Sequence, residues 1–448
     1  MPNRLWVGVV PLMVLSMGIS VKGAAETGAL VQRRYLVTEH GAVGDGQALN
    51  TKAIQTAIDR CAAEGGGVVV IPKGTFLSGA IFLKQGVNLS VDKDGVLKGS
   101  VNPEDYPQVK TRWEGIEREW TSALVNADGL IGVEIGGEGM IDGSGDAWTP
   151  RGFGPRPPTQ NAPAANTPGT GSGTPAANPT GAPPRLGRPR LIVLQNCKQV
   201  RVSGLTLKNQ ACWGLVFIYC EDVVAEGLTI RAEHNIPSSD GIDVDSSRRV
   251  RIVRCDIDVN DDCISIKSGK DADGLRVNRP SEDIVIEHCR FGYGHGGVAM
   301  GSETSGGIRN VEVRNCVAEA GNWAPIRFKS QPSRGGVVEN ITYRDMQLKD
   351  VSRAFEFNME WRMVPPIAPP AQVLPKVRKV RLINITGTAS SGGIIHGLKD
   401  SPIEDVAFEN CKITAQKGLV IENARNVQIS GLSLEVKEGE AVIKRGVE

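Results

Sequence analysis

From about residue 197 onward, apolar and polar positions alternate in short phrases that keep returning. CKQVRVSGLTL, CEDVVAEGLTI, RRVRIVRCDI, SEDIVIEHCRF, IRNVEVRNCV, VVENITYRDM, RKVRLINITG, IEDVAFENCK and RNVQISGLSL share one plan: a polar residue, often Asn or Asp, then a β-branched residue, alternation and a polar turn. A second short alternating strand follows several of them, as in GIDVDS, CISIKS, GVAMGS and PIRFKS. Aligning these second strands places Ile242, Ile264, Val298, Ile326 and Phe355 in one apolar lane, and Val244, Ile266, Met300, Phe328 and Phe357 in the next. The steps are 22, 34, 28 and 29 residues in both lanes. Alternation sends these residues inward and turns Asp243, Ser265, Ala299, Arg327 and Glu356 outward between them.

One coil of this kind cannot bury its own apolar face, whereas stacked coils share a continuous core. A β-propeller blade needs about 40 residues, more than these steps allow. The pattern predicts an all-β chain folded as a right-handed parallel β-helix. Upstream, HGAVGDGQALNTKAIQTAIDRCAAEGGGVVVIPKGTF reads as turn, helix, turn, strand. Asn50-Thr51 offers an N-cap, and Ala53, Ile54, Ala57, Ile58 and Cys61 recur at helical spacing. This helix is expected to cap the open end of the solenoid. Residues 33–105 are thus expected to hold the cap and first coils, and residues 106–448 the β-helix domain. Pro, Gly, Ala and Asn fill residues 149–188 without apolar periodicity, which predicts a long surface loop.

Composition adds a little. Lys and Arg number 51 against 50 Asp and Glu, giving no sign of nucleic acid as a partner. The 54 glycines and 5% aromatic residues suit many tight turns. Residues 1–23 have the form of an export signal, with Arg4, an apolar run from Leu5 to Ile19 interrupted by Pro11, and Gly23-Ala24-Ala25. The run is shorter than the roughly 20 residues of a membrane span. A secreted or periplasmic monomer, free of the membrane after cleavage, is the expectation. The nine cysteines are an odd count. Cys255, Cys289, Cys316 and Cys411 recur at one point of the repeat, which predicts a stack of buried thiols, with one or two disulfides as the alternative.

The lanes also gather chemistry. Asp240 and Asp262 occupy equivalent positions on adjacent rungs, as do Asp261 and His295, with Arg327 and Lys329 further along. Rungs lie roughly 4.8 Å apart, so three carboxylates, an imidazole and two cations share one patch of sheet. Like charges so close raise at least one pKa, and glycoside hydrolysis needs one protonated and one ionised carboxyl. The bland alternative is a solvated charge ladder, and Asp245 with Lys267, in one lane on adjacent rungs, is expected to be such a pair.

These segments resemble the four signatures of the polygalacturonase family, family 28 of the glycoside hydrolases: Asn-Thr-Asp, Gly-Asp-Asp, Gly-His-Gly and Arg-Ile-Lys. Here they read SSD, NDD, GHG and RFK, in that order. The resemblance implies a pectic polysaccharide or oligosaccharide substrate and no metal or cofactor. It makes Asp261 the general acid and gives Asp240 and Asp262 the attacking water. His295 would tune the acid, and Arg327 and Lys329 would bind substrate. It also implies inversion, which fits carboxyls roughly 6.5–9.5 Å apart. Ser238 and Asn260 depart from the pattern, and the family's substrate-contacting Tyr is missing, Glu356 and Asn358 facing outward there instead. Glu356 would disfavour a second uronate nearby. Trp213, in the lane of Asp240, is either a sugar platform or a residue packed under a loop. The rivals are a hydrolase of rhamnogalacturonan or another decorated pectin, a calcium-dependent lyase, and a non-catalytic carbohydrate-binding β-helix. The 149–188 insertion and the Lys270–Ser281 loop would wall off one end of the groove, a lean toward exo action.

Overall fold

The computed structural model describes residues 33–148, 187–361 and 371–447. The leader-like segment and nearly all of the 149–188 insertion lie outside them. Helix α1 (Thr51–Ala63) buries Ile54, Ala57, Ile58 and Cys61 against the first coils. Its N-cap differs from the expectation. The Asn50 side chain accepts from Val43 N (2.7 Å) and donates to the carbonyls of Val43 and Ala48, so it ties down the preceding turn and leaves the helix uncapped. Thr51 Oγ1 instead accepts from Gly79 N (2.7 Å) on a neighbouring coil.

Two strands, β1 (Gln108–Trp113) and β2 (Ile116–Thr121), pair antiparallel as a hairpin. The coils proper then supply one outward-facing sheet: β3 (Ile192–Gln195), β4 (Leu215–Ile218), β5 (Ile242–Asp245), β6 (Asp262–Lys267), β7 (Gly296–Met300), β8 (Ile326–Lys329) and the end of the long strand β9 (Val337–Asn358). Each pairs in parallel with its predecessor and successor, and the registers reproduce the lanes: Ile242 opposite Ile264, then Val298, Ile326 and Phe355. These lane residues are fully buried. A seven-residue helix, α2 (Asp271–Val277), interrupts the Lys270–Ser281 loop and accounts for part of the long 34-residue step.

The polar residue of the recurring phrase has a backbone role. Gln199, Asp222, Arg249, Asp283, Asn310, Asn340, Lys379, Asp405 and Asn426 all have φ between 51° and 57°, each just before the inward β-branched residue. Left-handed backbone is least costly for Asn and Asp, whose short side chains bond locally, and several of these rungs are tied laterally, among them Asn310 to Asp283 (3.0 Å), Asn340 to Asn310 (3.2 Å) and Asn426 to Asp405 (2.7 Å). All nine cysteines are buried free thiols, including the Cys255, Cys289, Cys316 and Cys411 of the repeat, and the disulfide alternative falls.

Candidate active site

The outward faces of β5 to β8 converge on a polar patch. Asp240 precedes β5, Asp261 directly precedes Asp262 at the start of β6, and Gly294-His295 leads into Gly296 at the start of β7. Oxygens of Asp240, Asp261 and Asp262 lie within 4.8 Å of one another. Adjacent rungs bring Asp240 and Asp262 together, and Asp261 joins them as the chain neighbour of Asp262. Asp261 is still reachable, its side chain 23% exposed, with Oδ1 3.4 Å from His295 Nδ1 and accepting from Asp262 N (3.0 Å). Asp262 is buried between two cations: Arg327 Nη1 donates to Oδ1 (2.9 Å) and Lys329 Nζ to Oδ2. Both cations come from two coils away, and the coil between must have no side chain in their path. Gly296 provides the gap, since a Cβ there would stand 2.6 Å from Asp262 Oδ1 and 3.3 Å from Arg327 Cδ.

Several residues appear that the lanes did not announce. Trp323 and Trp361 flank the Arg327 guanidinium at 4.9 and 4.6 Å, holding it by cation–π attraction. Glu303, from the loop after β7, is buried in the same cluster. The expected Asp245–Lys267 ladder pair does not form, although the two are in register. Asp245 turns to the buried Arg112 of the hairpin (2.9 Å). Lys267 Nζ reaches Asp243 (3.3 Å), Asp240 (3.6 Å) and Glu303 (3.7 Å) and sits 4.3 Å from the centre of the Trp213 ring. Far from decorating solvent, Lys267 is buried in the centre of the site.

Trp213 itself is 5% exposed, with Lys267 on one side and Trp113 of the hairpin 4.8 Å away on another, so packing under a loop describes its surroundings. Glu356 does project from the outward lane, yet it is 2% exposed and paired to Arg353 (2.6 Å), beside Arg327 in register. Burial pushes its carboxyl up, with Arg353 opposing. The charge assigned to repel a uronate is thereby compensated. Asn358 Oδ1 accepts from Glu360 N (2.9 Å).

The carboxyls are electrostatically unequal. Burial, reinforced by Asp243, pushes Asp240 well above the usual range, with Lys267 opposing. Burial raises Asp243 to about 7 against the pull of Lys267. Burial would also raise Asp261, but His295, Lys329 and Arg327 outweigh it and hold it low. Asp262 is likewise held low, burial being overcome by Lys329 and Arg327. The patch therefore keeps protonated and ionised carboxyls side by side. Three clustered carboxylates are also a donor set for a divalent cation, but here Arg327, Lys329 and Lys267 already supply the positive charge.

Residues 176–433 match the family Glycosyl hydrolases family 28. The chain belongs to that family. It is a glycoside hydrolase on a parallel β-helix. Residues 36–101 additionally match Rhamnogalacturonase A/epimerase, pectate lyase-like, a region confined to the cap and first coils. The hydrolase is 32% identical over 366 residues to a Vitis vinifera protein named as a probable polygalacturonase, covering 78% of this chain and 69% of that one. It is 30% identical over 338 residues to an exo-poly-alpha-D-galacturonosidase of Dickeya chrysanthemi, covering 71% of this chain and 55% of that one. The crystal structure of a hyperthermoactive exopolygalacturonase from Thermotoga maritima superposes with a TM-score of 0.72 at 30% identity, covering 92% of each chain.

Proposed function

We propose that this hydrolase cleaves α-1,4-galacturonosyl linkages of pectin-derived galacturonan or its oligomers, one end of the chain at a time. The observation that carries this is the unequal set of carboxyls beside Arg327 and Lys329, a site that can both split a glycosidic bond and bind a uronate. Water, held between Asp240 and Asp262, attacks C1 of the sugar. The bond from C1 to the bridging oxygen breaks, that oxygen takes a proton from Asp261, and the water's proton passes to the base pair. In the free site the cations beside Asp261 hold it ionised and the proton rests on Asp240. A uronate seated on Arg327 and Lys329 would neutralise those cations, raising Asp261 so that it carries the proton when the bond breaks.

Exo action is supported by the hairpin. Trp113 and Trp120 pack with Trp213, Val216, Ile218 and Val193 on the outer face of β3 and β4, the coils directly before Asp240. The groove an internal cut would need is filled there. Arg276 of α2 braces the hairpin through Glu117 (2.6 Å), and Lys270 N donates to Gly115 O (3.0 Å), which ties the Lys270–Ser281 loop to the same hairpin. The described residues contain no helix long and apolar enough to cross a membrane. The leader-like residues 1–23 and a cell-wall substrate favour secretion or a periplasmic location.

Inversion is carried over from the family and is read from the anomer first released. The test is to incubate the mature chain with excess chelator on polygalacturonate and on galacturonate oligomers, following reducing ends, unsaturated products and the anomer first released by NMR. Reducing ends without unsaturation, short products from the start and an inverted anomer are expected. Cleavage of rhamnogalacturonan alone would move the substrate to a decorated pectin.

A further inference from the structure

The positive charges of the site are unequally shared. Asp262 has both Arg327 and Lys329, whereas Asp240 has Lys267 at 3.6 Å, and that ammonium also faces Asp243 at 3.3 Å and Glu303 at 3.7 Å. All four side chains are buried. Neither oxygen of Asp243, nor Glu303 Oε2, has a hydrogen-bond partner, so Lys267 is their nearest compensation. From these contacts we infer that Lys267 is a positioning residue whose ammonium favours the carboxylate form of Asp240, the form reached when its proton passes to Asp261 on substrate binding, and that Asp243 and Glu303 compete with Asp240 for it.

Every element around Lys267 contributes a charge or a wall. Asp240 and Asp243 come from β5 and its approach, Asp262 from its own strand, and Glu303 from the loop after β7. The Trp213 ring on the preceding coil closes the remaining side. Arg112 of the hairpin occupies Asp245, the in-lane neighbour that would otherwise draw Lys267 away. Lys267 responds as such a centre should: burial works against its charge, but Glu303, Asp243 and Asp240 more than restore it. Glu303 is held down to about 2, burial being outweighed by Lys267, Arg334 and Lys329. Three acids thus face one ammonium, and the share that reaches Asp240 depends on the other two.

This inference rests on the hydrolase reading, in which Asp240 acts as base. The experiment is the pH dependence of kcat on polygalacturonate for the wild type and for Lys267→Met, Lys267→Arg, Asp243→Asn and Glu303→Gln, each checked for fold by circular dichroism. Loss of the cation from Asp240 should move the acid limb of Lys267→Met upward, by roughly 1–3 pH units, while Lys267→Arg stays with the wild type. Removal of a competing carboxylate should move the limbs of Asp243→Asn and Glu303→Gln downward. If Lys267→Met does not fold, the two acid variants still decide. Limbs that coincide with the wild type, or that all move in one direction, overturn the inference. A wild type inactive on every pectic substrate would instead defeat the hydrolase reading itself.

Discussion

Asp262 and Arg327 form an ion pair of 2.9 Å across an intervening coil, and they meet because residue 296 has no side chain. The third signature of the sequence, Gly-His-Gly, is in this light partly a statement about empty space. The adjoining Gly294 is equally confined, its missing Cβ standing 2.9 Å from Asp261 O.

Gly296→Ala should therefore fold, since only a methyl is added on the outward face, but displace the Asp262 carboxylate from Arg327. A shift near 1 Å in an active site can cost about 100-fold in rate. A kcat/KM near that of the wild type would show that the ion pair tolerates the methyl.

In the proposed scheme Asp261→Asn removes the proton donor, while His295, 3.4 Å from Asp261, serves to tune it. The loss in kcat should be roughly 100- to 10,000-fold, with the melting temperature little changed because the side chain is partly exposed. Turnover at the wild-type rate would remove Asp261 from its role.

Asp243 makes a stability prediction with a definite sign. Burial places its folded pKa at about 7, above the ordinary value of 3.8. Below about 4 the group is protonated in both states and contributes nothing. As pH rises toward 7 the unfolded chain releases this proton while the folded chain retains it, so stability is lost across that window. The melting temperature of Asp243→Asn should accordingly gain on the wild type between about pH 4 and 7 and hold that gain above it. A difference independent of pH would mean that Asp243 is ionised throughout.

The hairpin predicts the product pattern. Replacing the segment from Gln108 to Thr121 by a short Gly-Ser linker should uncover Trp213, Val216 and Ile218 and let longer chains lie across β3 and β4. Oligomers longer than those of the wild type should then appear early in the digest, read by anion-exchange chromatography. An unchanged ladder would place the end-recognition elsewhere.

The coils were legible because their physics is local and repeated. A side chain in lane order must alternate inward and outward, and the lanes of Ile242 and Val244 needed nothing more. Asp240, Asp261, Asp262 and His295 met because register follows from the same lanes. What the lanes do not encode is which outward charge wins a partner. Lys267 and Asp245 are in register, yet Arg112, some 130 residues earlier in the chain, takes Asp245 and releases Lys267 to the acids. Residues 108–121 carry no repeat, so neither their hairpin nor its landing place could be read from periodicity. Glu303, Trp323 and Trp361 arrive from loops, whose paths depend on packing that alternation does not describe.

The left-handed residue that opens the inward strand on nine of the coils has one more consequence. It fixes the corner independently of how much chain was spent reaching it, so coils of unequal length enter the sheet in the same phase. The distance between Asp240 and Asp262 is consequently a lattice constant of the backbone, insensitive to what is inserted between them. Loops can be lengthened, as the Lys270–Ser281 segment is, without disturbing the spacing of the carboxyl patch. The molecule separates a ruled surface, on which charged groups keep fixed spacings, from a freely editable border of loops around it.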